Sequence, residues 1–374
     1  MQNRSASALF FVVLFLFSSA LEAQELMIEW AVPLKKNLVQ LNRREQGGVT
    51  IFGKDILVST RSGDLHLFSD KGSIKKTVTF DGEFFLAPIV VDDGNVMVSV
   101  SNSVFMLNSS LELVWSVSGK APVASNPFVT QEYVMVQFHD NSIYLLDRKT
   151  GAIKTAYTSY SEEEVSYMRL PEPLMVDDKY VFGFSSGTIV FFMVRKVGAN
   201  EELVPYFRFK TSKTTRSFEK KDFFDLLSIV PFKDTVMFSG GEYGGYILEG
   251  KVERLENMKN LNLLAEKNGK YTGFGEGGIY SFDENGVFVF KIFNSLNYIS
   301  NLIPVSDLTF ATTTGEGSIL AYSEGYVHLM SKDYSKVLHS IMIPNGVSAK
   351  AAVNDKAVYV ISDMGVVYKL KVVK

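Results

Sequence analysis

Residues Val134–Gly151 read VMVQFHDNSIYLLDRKTG. Val134, Val136 and Phe138, then Ile143 and Leu145, put apolar side chains at alternate positions, the period of a half-buried strand. Between the two runs stand Asp140 and Asn141, residue types that tolerate the left-handed backbone of a tight hairpin. The stretch therefore reads as strand, turn, strand.

The same unit returns along the whole chain. It appears as ILVSTRSGDLHLFSDKG around Gly63, VMVSVSNSVFMLNSS around Asn102 and YVFGFSSGTIVFFMV around Gly187. VMFSGGEYGGYILEG around Gly245, KYTGFGEGGIYSFDENG around Gly278, SILAYSEGYVHLMSKD around Gly325 and AVYVISDMGVVYKLKV around Gly365 complete the set. From Gly63 onward the turn centres are 39, 39, 46, 58, 33, 47 and 40 residues apart. Eight copies at a period of about 43 residues predict an all-β fold, an eight-bladed β-propeller with four-stranded antiparallel blades. Second turn clusters at Asp92–Asn95, Asp177–Lys179 and Asn354–Lys356 fit a further strand before each unit. Helical periodicity is hard to find after the first residues.

The two tryptophans sharpen this reading. ELMIEWAVPL at Glu25–Leu34 and LELVWSVSG at Leu111–Gly119 share the pattern Leu-x-x-x-Trp-x-Val. Trp115 falls on the outer strand of its blade. The last copy, by contrast, has three strands and no fourth. The Trp30 segment is expected to supply that strand, so that the two ends of the chain close the ring and leave no open sheet edge.

Residues 1–23 hold one cation, Arg4, then an apolar or small run of 13 residues from Ala8 to Ala20. Such a run is too short for a bilayer-spanning helix of about 20 residues, and small residues follow it. It predicts a signal peptide over 1–23, cleaved after Ala20 or Ala23, with an uncleaved anchor as the alternative. A single domain over 24–374 would follow, exported to the periplasm or held peripherally at the outer membrane. The chain has no cysteine, which removes disulfides, thiolate metal sites and a lipidated cysteine. Its net charge of −3 lacks the basic footprint of a nucleic-acid binder.

The copies resemble the PQQ-like repeat family, whose blades run roughly small–x–Leu/Tyr–x–Ala–Leu–Asp–x–x–Thr–Gly–x–x–x–Trp. SIYLLDRKTGAIK carries Asp147, Thr150 and Gly151 in place. SFDENGVFVF has Asp283 and Gly286 but Phe290 for the tryptophan, and blade 7 puts His339 there. Among exported propellers of this repeat and length, the chain is similar to the BamB-type scaffolds of outer-membrane β-barrel assembly, which are usually lipoproteins. That resemblance implies a non-enzymatic scaffold with envelope protein partners, components of outer-membrane assembly among them, and no cofactor. The enzymatic branch, PQQ-dependent quinoproteins, uses calcium ligands, a catalytic Asp and usually a vicinal disulfide. The disulfide is impossible here, and no local cluster supplies the ligands.

Other motifs are weak. Gly273, Gly275 and Gly278 match G-x-G-x-x-G, but a hairpin follows them rather than the helix that would receive a phosphate. His66 and His328 occupy equivalent positions in blades 1 and 7, and no two of the four histidines have metal-ligand spacing. The candidate partner site is the long connection between blades 4 and 5, about residues 195–226. Arg208, Lys210, Lys213, Arg216, Lys220 and Lys221 are interrupted there by one acid, Glu219, and interleaved with Tyr206, Phe207, Phe209, Phe218, Phe223 and Phe224. Arginine among aromatics is the composition of interface hot spots. As a loop it would overhang a rim of turn acids: Asp64, Asp140, Glu242, Glu276, Glu324 and Asp363. Glu162–Glu164 form a second, acidic candidate. A small ligand or carbohydrate in the central funnel is the alternative function.

Overall fold

The computed structural model describes residues 24–34, 43–158 apart from 93, 170–211 apart from 185 and 199, 226–240, 244–255, 258, 261–265, 270–292 apart from 276, 277 and 287, 308–313, and 317–373 apart from 335, 355 and 356. Their strands form eight antiparallel sheets of four. Within each sheet the strands run A to D from the axis outward, so A–B and C–D turns share one face of the ring. B–C turns and the D–A connections share the other. The expected signal peptide, 1–23, lies outside the described residues.

Blade 1 is built in sequence order from Gly48–Phe52, Asp55–Ser59, Asp64–Phe68 and Ile74–Thr79. Blade 8 is not. Its strands A to C are Ala352–Val353, Ala357–Ile361 and Val366–Val373, and its outer strand D is Glu25–Pro33. Glu25 pairs with Val373 and Pro33 with Val366, as the Trp30 repeat predicts.

Eight apolar clusters hold the ring, one at each seam between blades. At the seam of blades 8 and 1, Val49, Ile56, Val58 and Phe68 meet Tyr359, Ile361 and Val367. At the next, Leu57 and Leu65 meet Val96, Val98 and Val100. A blade is therefore covered on both faces. This changes one expectation: the alternating runs read as half-buried strands, yet all five residues of Tyr133–Gln137 are buried. The outer strands keep an exposed side, as in Ile153–Thr158.

The tryptophans pin neighbouring blades together. Trp115, on strand D of blade 2 (Leu113–Ser118), donates its indole N–H to the carbonyl of Arg148 in the C–D turn of blade 3, at 2.9 Å. Gly151 closes that turn at φ +71°, and a Cβ there would fall 2.7 Å from the indole ring, so only glycine fits. Trp30 repeats the arrangement on blade 1, donating to the Asp70 carbonyl at 2.9 Å and stacking on Phe68. His339, at the tryptophan position of blade 7, instead accepts the backbone N–H of Leu26 on the closing strand, at 3.1 Å.

The equivalence of His66 and His328 also holds. Nδ1 of each lies within hydrogen-bond distance of a hydroxyl on strand D, Thr77 at 2.9 Å and Ser340 at 2.7 Å. Burial pulls the His328 pKa from 6.5 down to about 4, because the imidazolium would lose its hydration.

Two outcomes follow from this packing. Trp30→Ala should cost about 2–4 kcal/mol of stability in urea unfolding, and Trp30→Phe, which keeps a ring but not the N–H, about 1 kcal/mol. Equal losses would show that the hydrogen bond, not ring packing, holds the seam. For His328, the folded state binds fewer protons than the unfolded chain below pH 6.5. Its contribution is complete above that pH and is lost on acidification towards 4, on the order of 2–3 kcal/mol in total. His328→Gln should flatten the acid limb of the stability curve, and an unchanged limb would assign it to other groups.

Candidate functional site

The stretch expected to be a loop begins as a sheet. Strands C (Thr188–Val197) and D (Asn200–Lys210) of blade 4 pair from Thr188↔Lys210 to Val197↔Asn200, nearly twice the length of the C–D pairs in blades 1 to 3 and 5 to 7 and longer than that of blade 8. Arg195 bonds Glu202 at 2.8 Å across the pair, and Lys196 lies 4.0 Å from Glu201. These charges, expected in a loop, are cross-strand partners. Arg208 and Lys210 thus stand on the outer strand of blade 4 and not in a D–A loop. Arg208 donates to the Tyr157 hydroxyl of blade 3 at 2.9 Å, and the Lys210 carbonyl accepts from Arg254 of blade 5 at 3.1 Å.

A bulge shapes the exposed surface of this hairpin. The register passes from Phe191↔Phe207 to Phe192↔Pro205, leaving Tyr206 as the extra residue. Proline lacks the N–H a regular ladder needs, so a bulge on an outer strand suits Pro205. Tyr206 and Phe207 are 54% and 48% exposed and lie ring against ring at 4.3 Å. The Lys179 ammonium sits 5.6 Å from the centre of the Tyr206 ring. Met193 and Val197 add further exposed apolar surface. Near the turn of the hairpin, Tyr133 of blade 3 donates to Glu201 at 2.7 Å; burial, then this carboxylate, pushes its hydroxyl pKa well up. Lys213, Arg216, Phe218, Lys220 and Lys221 lie outside the described residues, as do Phe223, Phe224 and Glu162–Glu164.

Three of the turn acids, Asp64, Asp140 and Asp363, are already engaged. Asp64 accepts from Ser62 and Thr79 at 3.1 and 2.7 Å, and Asp140 takes the Ser142 hydroxyl at 2.6 Å. Asp363 accepts from the Ser348 amide and hydroxyl and lies 3.6 Å from Arg44. These carboxylates cap their own turns and adjoining connections. Glu242 and Glu276 lie outside the described residues. Gly273, Gly275 and Gly278 belong to a hairpin in which Gly275 pairs with Gly278, so no helix follows them. Among the described residues, no three metal-ligating side chains converge, and no helix is long and apolar enough to cross a membrane.

One constellation carried no mark in the repeats. The A strands enclose a central channel of about 500 Å³, lined mainly by apolar groups such as Val49, Ile51, Ile89 and Phe128. Asn126, Glu172 and Lys350 each stand two residues before strand A, in blades 3, 4 and 8. Lys350 reaches across the channel to Glu172 at 2.9 Å, and the Asn126 amide donates to the same carboxylate oxygen at 2.8 Å. Asn126 Oδ1 is buried without a hydrogen-bond partner. Comparing that one position around the ring is the signal that could have found them.

Comparison with known proteins agrees with the architecture. Residues 87–199, from blade 2 through strand C of blade 4, match the family model described as outer membrane protein assembly factor BamB. BamB from Moraxella catarrhalis superposes with a TM-score of 0.70 at 15% identity, covering 92% of this chain and 99% of that one. The computationally designed Ika8 protein gives 0.67 at 12% identity, with 91% and 98% covered. The C-terminal WD40 domain of Sif2 gives 0.64 at 10% identity, with 93% and 100% covered. No curated protein matches the sequence. Blade count and ring closure make this chain an eight-bladed β-propeller, similar in fold to BamB, with residues 87–199 matching that family's model.

Proposed function

We propose that this chain is a non-enzymatic scaffold that binds proteins in the cell envelope, exported and working in the periplasm or against the outer membrane. The blade 4 hairpin carries this reading. It holds exposed Tyr206, Phe207, Met193 and Val197 beside Arg208 on a strand pair anchored to blades 3 and 5. Aromatic and arginine side chains preset on rigid backbone are what an interface core needs, because little entropy is lost on docking. The match of residues 87–199 to an outer-membrane assembly factor supports a place in that process.

Crosslinking in cells, followed by identification of the bound envelope proteins, tests the reading. Reversing the charges at Arg208, Lys213 and Arg216 should lower recovery of such a partner at least tenfold while the chain still folds, the lost Arg208–Tyr157 bond lowering the thermal midpoint by no more than a few degrees. Unchanged recovery would remove this surface as the contact.

A second reading rests on the channel. Its volume suits a small molecule, and Asn126 Oδ1 offers a buried acceptor to a ligand N–H or O–H. Saturable stabilisation by an amino- or hydroxyl-bearing metabolite or sugar, abolished by Asn126→Ala, would favour it over the scaffold.

A further inference from the structure

Where blades 8 and 1 meet, a cleft of about 770 Å³ opens between their A–B and C–D turns. Lys54, Lys71, Lys75, Lys369 and Lys371 line it, against three carboxylates, Glu29, Asp55 and Asp70. The cleft is therefore positive on a chain whose net charge is −3.

The acids are already committed. Both Asp55 oxygens take the Lys75 ammonium, at 2.8 and 2.6 Å. Asp70 Oδ1 accepts from the Lys369 ammonium at 2.6 Å and from the Tyr359 hydroxyl at 2.7 Å. Glu29 lies 3.3 Å from the same ammonium. Burial by itself would lower the Lys369 pKa, but these partners outweigh it and hold it above the ordinary lysine value. Those bonds lower the Asp70 pKa, so the pair stays charged.

Three cations remain. Among the described residues, the Lys54 and Lys371 ammonium groups have no hydrogen-bond or ion-pair partner, and the Lys71 ammonium acts on Asp70 only through space. They come from three elements: the A–B turn of blade 1, its C–D turn, and strand C of blade 8. Lysines spread over a convex surface are an ordinary solvated face. Unpaired lysines converging on one concavity repel each other and focus a positive field into it, which favours an entering anion. The chain also enters the ring at Glu25 and leaves it at Val373 on this same face. Under the alternative of an uncleaved anchor, the apolar run Ala8–Ala20 joins the ring at Glu25, on this same face.

We propose that this seam cleft binds phosphate-bearing anions, and that their source is the headgroups of anionic lipids at a membrane surface. Lys54, Lys71 and Lys371 grip the phosphate oxygens while Lys75 and Lys369 keep their internal partners. The volume fits one headgroup.

Cosedimentation of the whole exported chain with vesicles tests this. Binding is expected to phosphatidylglycerol–phosphatidylcholine vesicles, not to phosphatidylcholine alone, and to vanish in high salt. Lys54→Glu/Lys71→Glu/Lys371→Glu should weaken it on the order of a hundredfold. Lys120→Glu/Lys149→Glu/Lys233→Glu, the same charge change away from the cleft, should weaken it less than threefold. Because reversed charge at the closing seam can also open the ring, the three Lys→Gln changes are measured in parallel and should show the same ranking. Inorganic pyrophosphate should raise the thermal midpoint of wild type and not of the cleft variants. Equal losses in the two triple variants, or no response to either probe, would overturn the site. Pyrophosphate binding without vesicle binding would keep the phosphate site and overturn the membrane as its source. Polyglutamate binding as tightly as pyrophosphate would replace phosphate with an acidic protein partner.

Discussion

The pairing of Glu25–Pro33 with Val366–Val373 is the constraint on which this molecule rests. In every other blade strand D follows strand C through a short turn, so the pair forms locally. In blade 8 the two strands lie more than three hundred residues apart in sequence. Loop-closure entropy grows with the logarithm of length, and the difference from a turn of a few residues is roughly 4 kcal/mol. Without that pair, blade 8 would lose its outer strand and the seam clusters on both sides of it would lose part of their cover.

The seam shows how this cost is offset. Leu26 is buried and its amide is held by His339 of blade 7, while Trp30 reaches forward to blade 1. The chain skips one residue between Ile28 and Trp30, and the bulge leaves Glu29 beside Lys369. A single nine-residue strand therefore contacts blades 7, 8 and 1 by different means. The same C–D bulge recurs in seven of the eight described blades, blade 5 keeping a regular register, so the closing strand is a true copy of its counterparts despite its distant origin.

Much of this was legible in the residues. Turn centres near a 43-residue period, and a tryptophan segment repeated at the N-terminus, suffice for blade count and closure. Two-sided burial was not legible, because Val134–Phe138 alternates whether or not its second face is covered; only the neighbouring blade decides. The blade 4 hairpin was misread for a related reason. Arg195, Lys196, Glu201 and Glu202 look like a hydrophilic loop until they are folded about Gly198, when opposite charges face each other. Likewise, Lys54, Lys71 and Lys371 are unremarkable in sequence and form a cluster only because the ring brings residue 371 back to residue 54. Sites that depend on the closure inherit its invisibility.

Degeneracy of the repeats follows from the same physics. Each seam buries a cluster of apolar side chains drawn from two blades, so one rim tryptophan supplies a modest share of the cohesion and drifts readily to other residues. Trp115 survives over Gly151, where the φ and the close approach leave no room for another residue in the turn. Trp30 survives for a different reason: it spans the one seam whose outer strand lacks covalent continuity with its sheet. There the indole stands in for a turn that the chain does not have, holding strand D of blade 8 to the C–D turn of blade 1 through Asp70. Asp70 in turn fixes Tyr359 and Lys369, so the residue that locks the ring also sets the positive cleft beside it. Closure and the seam cleft are two consequences of one residue's contacts, the Asp70 carbonyl serving the first and its carboxylate the second.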